Sequence, residues 1–470
     1  MEFHLAENGA ITAIPGSGGL ATALRAAATI TPMTWLSNPM TAGDRAIASG
    51  QGGIEGIESA AHFVNTDPHE YELFYGAFSN EVLWLIQHNQ PWPDALTAEV
   101  REESWRDGYI PVNQAFADAV IDEVDTGEYR AVMFHDYHFC LAPAMVRKER
   151  PGIYLQQFIH IPWPKAEIWD RLEAPILSAI CEGLLGNDSL VFQTPESSRN
   201  FLLTCRRNLP EAVVDVRGGT VTLNGRCTRA WANGISVDPE ELANEAASPD
   251  FARYRYLLKA QHGQQSILRV DRLDPTKNVI VGFQAFEHLL ETYPDMRGRV
   301  TFIALLVPSK SSIDSYKQYQ DEAIAYAGQI NKRFGNLHWK PIQVFYENNR
   351  TQALAAMSMY DVLLVNPLAD GMNLVAKEGP MLNDHGGVLV LSREAGAYAE
   401  LASGCIGIEP TSPENTAAAL YWALTMPPAE RREMNLRLRQ IIRKHDLRAW
   451  LEELLADIEQ NASIEETSAA

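Results

Sequence analysis

Short apolar runs that read as buried strands alternate with amphipathic stretches of helical period along most of this chain. In the first half, Ala131–Phe134, Ile153–Ile161 and Ser189–Phe192 each precede a helical stretch. The second half repeats the unit more regularly. Strand Ser266–Val270 leads to helix Lys277–Thr292, strand Arg299–Leu306 to helix Ser312–Phe334, and strand Ile342–Phe345 to helix Thr351–Met359. Strand Asp361–Val365 leads to helix Leu374–Leu382, and strand Gly387–Leu391 follows. Strands spaced by helices of this length predict parallel sheets with right-handed crossovers. At 470 residues the chain exceeds what one core holds, so two doubly wound α/β domains are expected. Ser236–Ala247, with Pro239 and an acidic run, reads as the linker. Leu447–Ile458 reads as a terminal amphipathic helix and Glu459–Ala470 as a small, polar, disordered tail.

Composition narrows the function classes. A net charge of −21 argues against a nucleic-acid partner, which needs a basic surface. It leaves room for a small phosphate ligand held by a few cations in one place. No run approaches the roughly 20 apolar residues of a membrane helix, and Met1-Glu2-Phe3-His4-Leu5 lacks the pattern of a signal peptide. The cysteines (Cys140, Cys181, Cys205, Cys227, Cys405) are scattered without a CxxC pair, as expected of reduced thiols in a cytoplasmic protein.

Ligands of open parallel sheets bind beyond the carboxyl ends of strands, and the chemistry-bearing residues of this chain fall there. Arg269-Val270-Asp271-Arg272-Leu273-Asp274-Pro275-Thr276-Lys277-Asn278 leaves a strand and opens a helix. Arg272 and Lys277 stand where free amides already favour an anion; together they can hold a diphosphate, or form an ordinary solvated loop. Asp370-Gly371-Met372-Asn373-Leu374-Val375-Ala376-Lys377-Glu378 also follows a strand. Gly371 allows close approach of a ligand, Asp370 can accept from sugar hydroxyls, Asn373 can cap the helix, and Glu378 can bind a ribose diol.

In the N-terminal half, Phe134-His135-Asp136-Tyr137-His138 ends a strand, and Asp136 can bind an acceptor hydroxyl. A metal site there is disfavoured, since neighbours on an extended segment point to opposite faces and no third ligand is evident. His160 in Phe158-Ile159-His160-Ile161-Pro162-Trp163-Pro164 ends an apolar run before two prolines, where a histidine is more often a satisfied core or loop residue than a catalyst. Gly16-Ser17-Gly18-Gly19-Leu20 can cradle phosphate or be a simple turn. Tyr75 and Trp84 can offer a hydroxyl and an indole N–H to a phosphate, or pack in the core.

Taken in order, these segments resemble the trehalose-6-phosphate synthase family of retaining glycosyltransferases. HDYH at 135–138, HIPWP at 160–164, RVDRLDPTK at 269–277 and DGMNLVAKE at 370–378 carry the resemblance. GGL at 18–20, FSNEVLW at 78–84, FQTPE at 192–196 and LSREAGAYAEL at 391–401 support it. The resemblance implies a GT-B fold of two Rossmann-like domains facing a cleft. The acceptor domain would be 1–238, the donor domain 239–444, the helix crossing back to the first domain 445–460, and the tail 461–470. It implies transfer of glucose from UDP-glucose to glucose 6-phosphate, giving α,α-trehalose 6-phosphate. Arg272 and Lys277 would bind the diphosphate. Asp370, the Gly371–Asn373 backbone (through Met372) and His160 would bind the donor sugar. The Leu374 and Val375 amides and Glu378 would hold phosphate and ribose, with Gly19 by the diphosphate. Asp136 would bind acceptor hydroxyls, and Tyr75 and Trp84 the acceptor phosphate. Retention by front-face attack needs no carboxylate nucleophile, no cofactor and no metal; catalysis would come from positioning and from stabilising the leaving diphosphate. The expected partners are the two small substrates, without nucleic acid or membrane; a homo-oligomer stays open.

The acceptor side departs from the family. Its usual first strand ends in Ser-Asn-Arg, whereas this sequence starts at Met1-Glu2-Phe3-His4, which suggests a truncated start or a missing phosphate ligand and strand. Lys310 stands near the family's other phosphate-binding arginine, keeping the charge without the bidentate fork. Thr34-Trp35-Leu36-Ser37-Asn38-Pro39 replaces a tryptophan- and glycine-rich segment. The alternatives are therefore a relative with another acceptor (a glucosylglycerol-phosphate synthase or a validamycin-type pseudoglycosyltransferase) and a non-catalytic sugar-phosphate sensor. The donor base (UDP, GDP or ADP) is open on residues alone. A dinucleotide-dependent oxidoreductase would need a GxGxxG that neither half carries.

Overall fold

Strand–helix alternation builds two compact units, Met1–Asn233 with Leu451–Ala470, and Gly234–Trp450. The computed structural model describes residues 2–5, 11–14, 32–49, 60–259, 261, 263–309 and 314–468.

The first unit carries β1 (Glu2–Leu5), β2 (Ile11–Ile14), β3 (Thr34–Ser37), β4 (Ala60–Phe63), β5 (Ala131–His135), β6 (Tyr154–Ile159), β7 (Ser189–Phe192), β8 (Val213–Asp215), β9 (Thr220–Leu223) and β10 (Arg226–Ala232). Its main sheet has the order β5-β6-β7-β10-β9-β8. The first four are parallel neighbours, and β10, β9 and β8 form an antiparallel ribbon. β1 pairs with β2 and β3 with β4 in separate two-stranded sheets. β6 and β7 are buried along their whole length, the signature of a sheet covered on both faces. The part of the last helix (Leu447–Ser468) that belongs to this unit, from Leu451 on, is fastened by Asp457, which accepts from Tyr154 Oη at 3.0 Å, Gln156 Nε2 at 2.8 Å and Arg229 Nη1 at 3.0 Å.

The second unit holds β11 (Gln265–Arg272), β12 (Val300–Val307), β13 (Ile342–Tyr346), β14 (Val362–Val365), β15 (Val388–Ser392) and β16 (Ile406–Ile408). Their order is β13-β12-β11-β14-β15-β16, and every pairing is parallel. That is the doubly wound order of a dinucleotide-binding sheet, with its direction reversing between β11 and β14. The helix Val279–Thr292 seats Phe283 and Phe286 edge-on against Phe302 of β12, at 5.5 and 5.3 Å between ring centroids.

Several local expectations are revised. Within the expected linker Ser236–Ala247, residues Pro239–Ala246 form a helix, because Asp238 caps it through the amides of Glu240 and Glu241. The terminal helix continues to Ser468 through the stretch read as a disordered tail, whose glutamates and alanines are good helix formers. The β9–β10 hairpin turns on Asn224-Gly225, both at positive φ (52° and 80°), the pairing that a two-residue hairpin favours.

Candidate active site

The switch point of the second unit lies between β11 and β14, and the two longest sequence motifs leave these strands. The β11 loop enters a 3-10 turn at Pro275–Lys277, capped by Asp274, whose Oδ1 takes the Thr276 amide at 2.9 Å. Asn278 at φ 62° then turns the chain into the helix, its side-chain amide donating to the carbonyls of Asn366 and Pro410. Lys277 reaches across to the other loop and donates to Asp370. Asp370 also accepts from Asn373 Nδ2 at 3.0 Å. Arg272 stands exposed at the end of the same strand.

Backbone bonds shape the second loop. The Asp370 amide donates to Glu394 O, the Gly396 amide to Asp370 O, and the Ala397 amide to Met372 O. Gly371 and Met372 are buried here. Asn373 takes φ 74° and accepts the Ala376 amide weakly, at 3.4 Å. Intrahelical bonding begins with the amides of Ala376 and Lys377, so those of Leu374 and Val375 head the helix, the usual place for an anion. Glu378 is ion-paired with Arg350 at 3.0 Å, and Arg350 also binds Glu245 at 2.9 Å. Lys377 is wholly buried, its ammonium bonded to Ile235 O at 3.0 Å and to Glu400 at 2.8 Å. Burial pulls its pKa down while Glu400 pushes it up.

In the first unit the β5 and β6 loops bring His135, Asp136 and His160 together. The sequence argument treated His135–His138 as extended; instead Asp136 sits at φ 65°, ψ −171°, a region almost reserved for glycine, and the chain turns into a 3-10 helix. Asp136 Oδ1 accepts the His160 amide at 3.2 Å. Desolvation raises the Asp136 carboxyl to about 7 against the pull of the His160, Tyr137 and Ile161 amides. His160 lies between Gln193 Nε2 at 3.4 Å and His135 Nδ1 at 3.3 Å. Desolvation lowers His135 to about 4 and His160 well below its ordinary value, so both rings are neutral near pH 7. His160 thus has a hydrogen-bonding neighbour at each ring nitrogen. Trp35 stacks on His135 at 6.5 Å. Tyr75 stacks between Tyr71 and His138, at 5.7 Å from each, on a π-helical stretch at Glu72–Leu83, a geometry that often marks function. Trp84, at its end, is buried against His88.

Thus Arg272, Lys277, Asp370–Val375 and Glu378 gather at one switch point, and Asp136 and His160 meet in the other unit near Tyr75 and its neighbour His138. Gly19 and Lys310 lie outside the described residues. Sequence reasoning assigned no role to His135, Gln193, Arg269, Arg350, Lys377 or Asn366. The visible signals were a charged Arg269 inside an apolar strand and a histidine beside Asp136. Among the described residues no group of three His, Cys, Asp or Glu side chains could hold a metal ion, and no helix is long and apolar enough to cross a membrane.

Comparison with known proteins agrees with this geometry. A trehalose-6-phosphate synthase of Cronobacter sakazakii is 33% identical over 399 residues, 84% of this chain and 82% of that protein. A bifunctional trehalose-6-phosphate synthase/phosphatase of Thermoproteus tenax is 35% identical over 81% of this chain, which spans about half (51%) of that longer protein. Among solved structures, an E. coli trehalose-6-phosphate protein bound with UDP-2-fluoro glucose superposes with a TM-score of 0.82 at 30% identity, covering 96% of this chain and 97% of that one. An α,α-trehalose-phosphate synthase (UDP-forming) of Burkholderia xenovorans in complex with glucose-6-phosphate gives 0.82 at 28% identity, over 95% and 97%. The model of glycosyltransferase family 20 matches residues 2–460. With two doubly wound parallel-sheet units of the GT-B class and a family match over nearly its whole length, the chain belongs to glycosyltransferase family 20.

Proposed function

We propose that this chain transfers glucose from UDP-glucose to glucose 6-phosphate with retention, releasing UDP and forming α,α-trehalose 6-phosphate. The observation that carries the proposal is the convergence of Arg272, Lys277, Asp370 and the Leu374–Val375 amides at the switch point of a dinucleotide-type sheet. The solved relatives bound with UDP-2-fluoro glucose and with glucose-6-phosphate support the choice of substrates.

In this reading Arg272, Lys277 and the helix amides hold the diphosphate. Glu378, steadied by Arg350, takes the ribose diol, and Asp370 takes sugar hydroxyls. As the C1–O bond to the diphosphate breaks, charge grows on the departing oxygen, where fixed cations and amides lower the barrier. The acceptor hydroxyl bonds to C1 from the same face and passes its proton to that oxygen, so no carboxylate nucleophile is needed. His160, neutral near pH 7, is a fixed hydrogen-bonding group for the donor sugar and not a general acid. Asp136 orients acceptor hydroxyls. Tyr75 and Trp84 attend the acceptor phosphate, with Gly19 beside the donor diphosphate and Lys310 supplying charge at the acceptor side.

The test is UDP release with glucose 6-phosphate, glycerol 3-phosphate and a cyclitol phosphate, together with the anomeric configuration of the product by NMR. Turnover with glucose 6-phosphate to an α,α-linked product is expected. Turnover only with another acceptor would reassign the substrate, and UDP binding without any turnover would make the chain a sensor.

A further inference from the structure

Arg269 lies inside β11 with its side chain wholly removed from water. A guanidinium in that position is tenable only if its charge is paired and it is hydrogen-bonded. Its Nε faces Asp271 Oδ2 at 3.0 Å, its Nη1 donates to Asn366 Oδ1 at 2.5 Å, and its Nη2 donates to the main-chain carbonyl of Lys277. Space for it comes from Gly282 on the following helix, where a Cβ would stand 2.5 Å from Nη1 and 3.3 Å from Asn366 Oδ1.

The two hydrogen-bond acceptors sit on the loop after β14 and on Lys277, and the paired carboxylate at the end of β11. Arg269 therefore joins, from beneath, the two loops that flank the switch point. Two further bonds lie beside it: Asn278 Nδ2 to Asn366 O at 3.1 Å, and the Leu368 amide to Thr276 O at 2.8 Å. Buried ion pairs add little stability over apolar residues of equal volume. A role in fixing geometry accounts for this one better than a role in holding the fold.

We propose that Arg269 is a positioning residue for the donor diphosphate: by clamping the Lys277 carbonyl and Asn366 it sets where the Lys277 ammonium and the Asp370 carboxylate stand. The inference rests on Lys277 holding the diphosphate. Lysine at 269 would keep the charge but lose the planar fork, so charge and geometry can be separated.

The experiment is steady-state kinetics with both substrates varied, and calorimetric UDP binding, on Arg269→Lys, Arg269→Met and Gly282→Ala, each checked for a cooperative thermal transition. Misplacing a catalytic group by about 1 Å costs about 100-fold. We expect kcat to fall about 10- to 100-fold in Arg269→Lys and Arg269→Met alike, UDP to bind more weakly, and the KM for glucose 6-phosphate to stay at the wild-type value. Should either Arg269 variant fail to fold, Gly282→Ala decides, since it displaces the guanidinium and leaves its charge. Full activity in Arg269→Lys or Gly282→Ala would overturn the inference, as would equal changes in both KM values. If the wild type shows no glycosyl transfer, the proposed function fails separately, and unchanged UDP affinity in the variants would still refute the clamp.

Discussion

Replacing Asp136 by asparagine sets stability against activity at one position. In the folded chain the carboxyl is raised from 3.8 to about 7 by desolvation, a shift of about three pH units. At 1.36 kcal/mol per unit the ionised form costs the fold about 4 kcal/mol. Because the side chain keeps partial contact with solvent, about half of that, ~2 kcal/mol, is the working figure. The sign follows from proton binding. Below pH 4 both states are protonated and the cost is absent. As pH rises toward 7 the unfolded chain loses its proton first, so stability declines, and above 7 the full cost stands. Asparagine keeps an oxygen for the His160 amide, matches aspartate in size and branching so that the backbone strain is the same in both, and carries no charge. Asp136→Asn should therefore match the wild type near pH 4 and exceed it at pH 8, raising the first unit's melting midpoint by about 4–8 °C. The same change removes the charged acceptor proposed to orient sugar hydroxyls, so kcat/KM for glucose 6-phosphate should fall at least 10-fold. The assay is thermal unfolding of both proteins from pH 4 to pH 8, paired with kinetics at pH 8. A stability difference independent of pH, or a variant less stable at pH 8, would refute the reasoning.

Lys277→Met breaks the bond to Asp370 and removes the cation proposed to face the departing diphosphate; kcat/KM for UDP-glucose should fall about 100-fold or more, with the KM for glucose 6-phosphate unchanged. Arg350→Met releases Glu378 and Glu245 together; the KM for UDP-glucose should rise about 10-fold, the worth of one charge-assisted hydrogen bond, while kcat holds. Asp457→Leu strands the hydrogen-bond donors of Tyr154 and Gln156 beneath the last helix; with Arg229 half exposed and discounted, the first unit should lose about 3 kcal/mol, read as a lower urea midpoint.

The strands were legible because their signal is local. Ser189–Phe192 appears with the boundaries the sequence implies, and β11, β12 and β14 shift by one or two residues. The switch-point loops were legible for the same reason, since each motif is continuous. The Asn224-Gly225 turn was readable and went unused, as it lies outside the strand–helix alternation. Asp136 shows a different failure. Its backbone is set by the amides of Tyr137, His160 and Ile161 around its carboxylate, so no windowed pattern announces the turn. Arg350 joins Glu245 and Glu378 across 105 and 28 residues, and Arg269 reaches Asn366 across 97. Such pairs become visible only when the sheet order places their elements side by side.

That difference bears on how the second unit is built. Its core is apolar, yet two ionic pairs are sunk beside the motif loops: Arg269 with Asp271 and Lys377 with Glu400. Burial drives the Asp271 carboxyl up and the Lys377 ammonium down, each countered by its partner. Desolvation cancels most of what such pairs contribute to stability, so stability is a poor reason for two of them in one region. What they share is that each ties a motif segment down: Arg269 holds the Lys277 carbonyl, and Lys377, in the first turn of the Val375–Leu382 helix, holds the Ile235 carbonyl. Transition-state stabilisation by fixed charges requires that those charges need not reorganise as the diphosphate leaves. A scaffold that sinks ion pairs beneath the loops proposed to hold the diphosphate satisfies that requirement at a cost in stability.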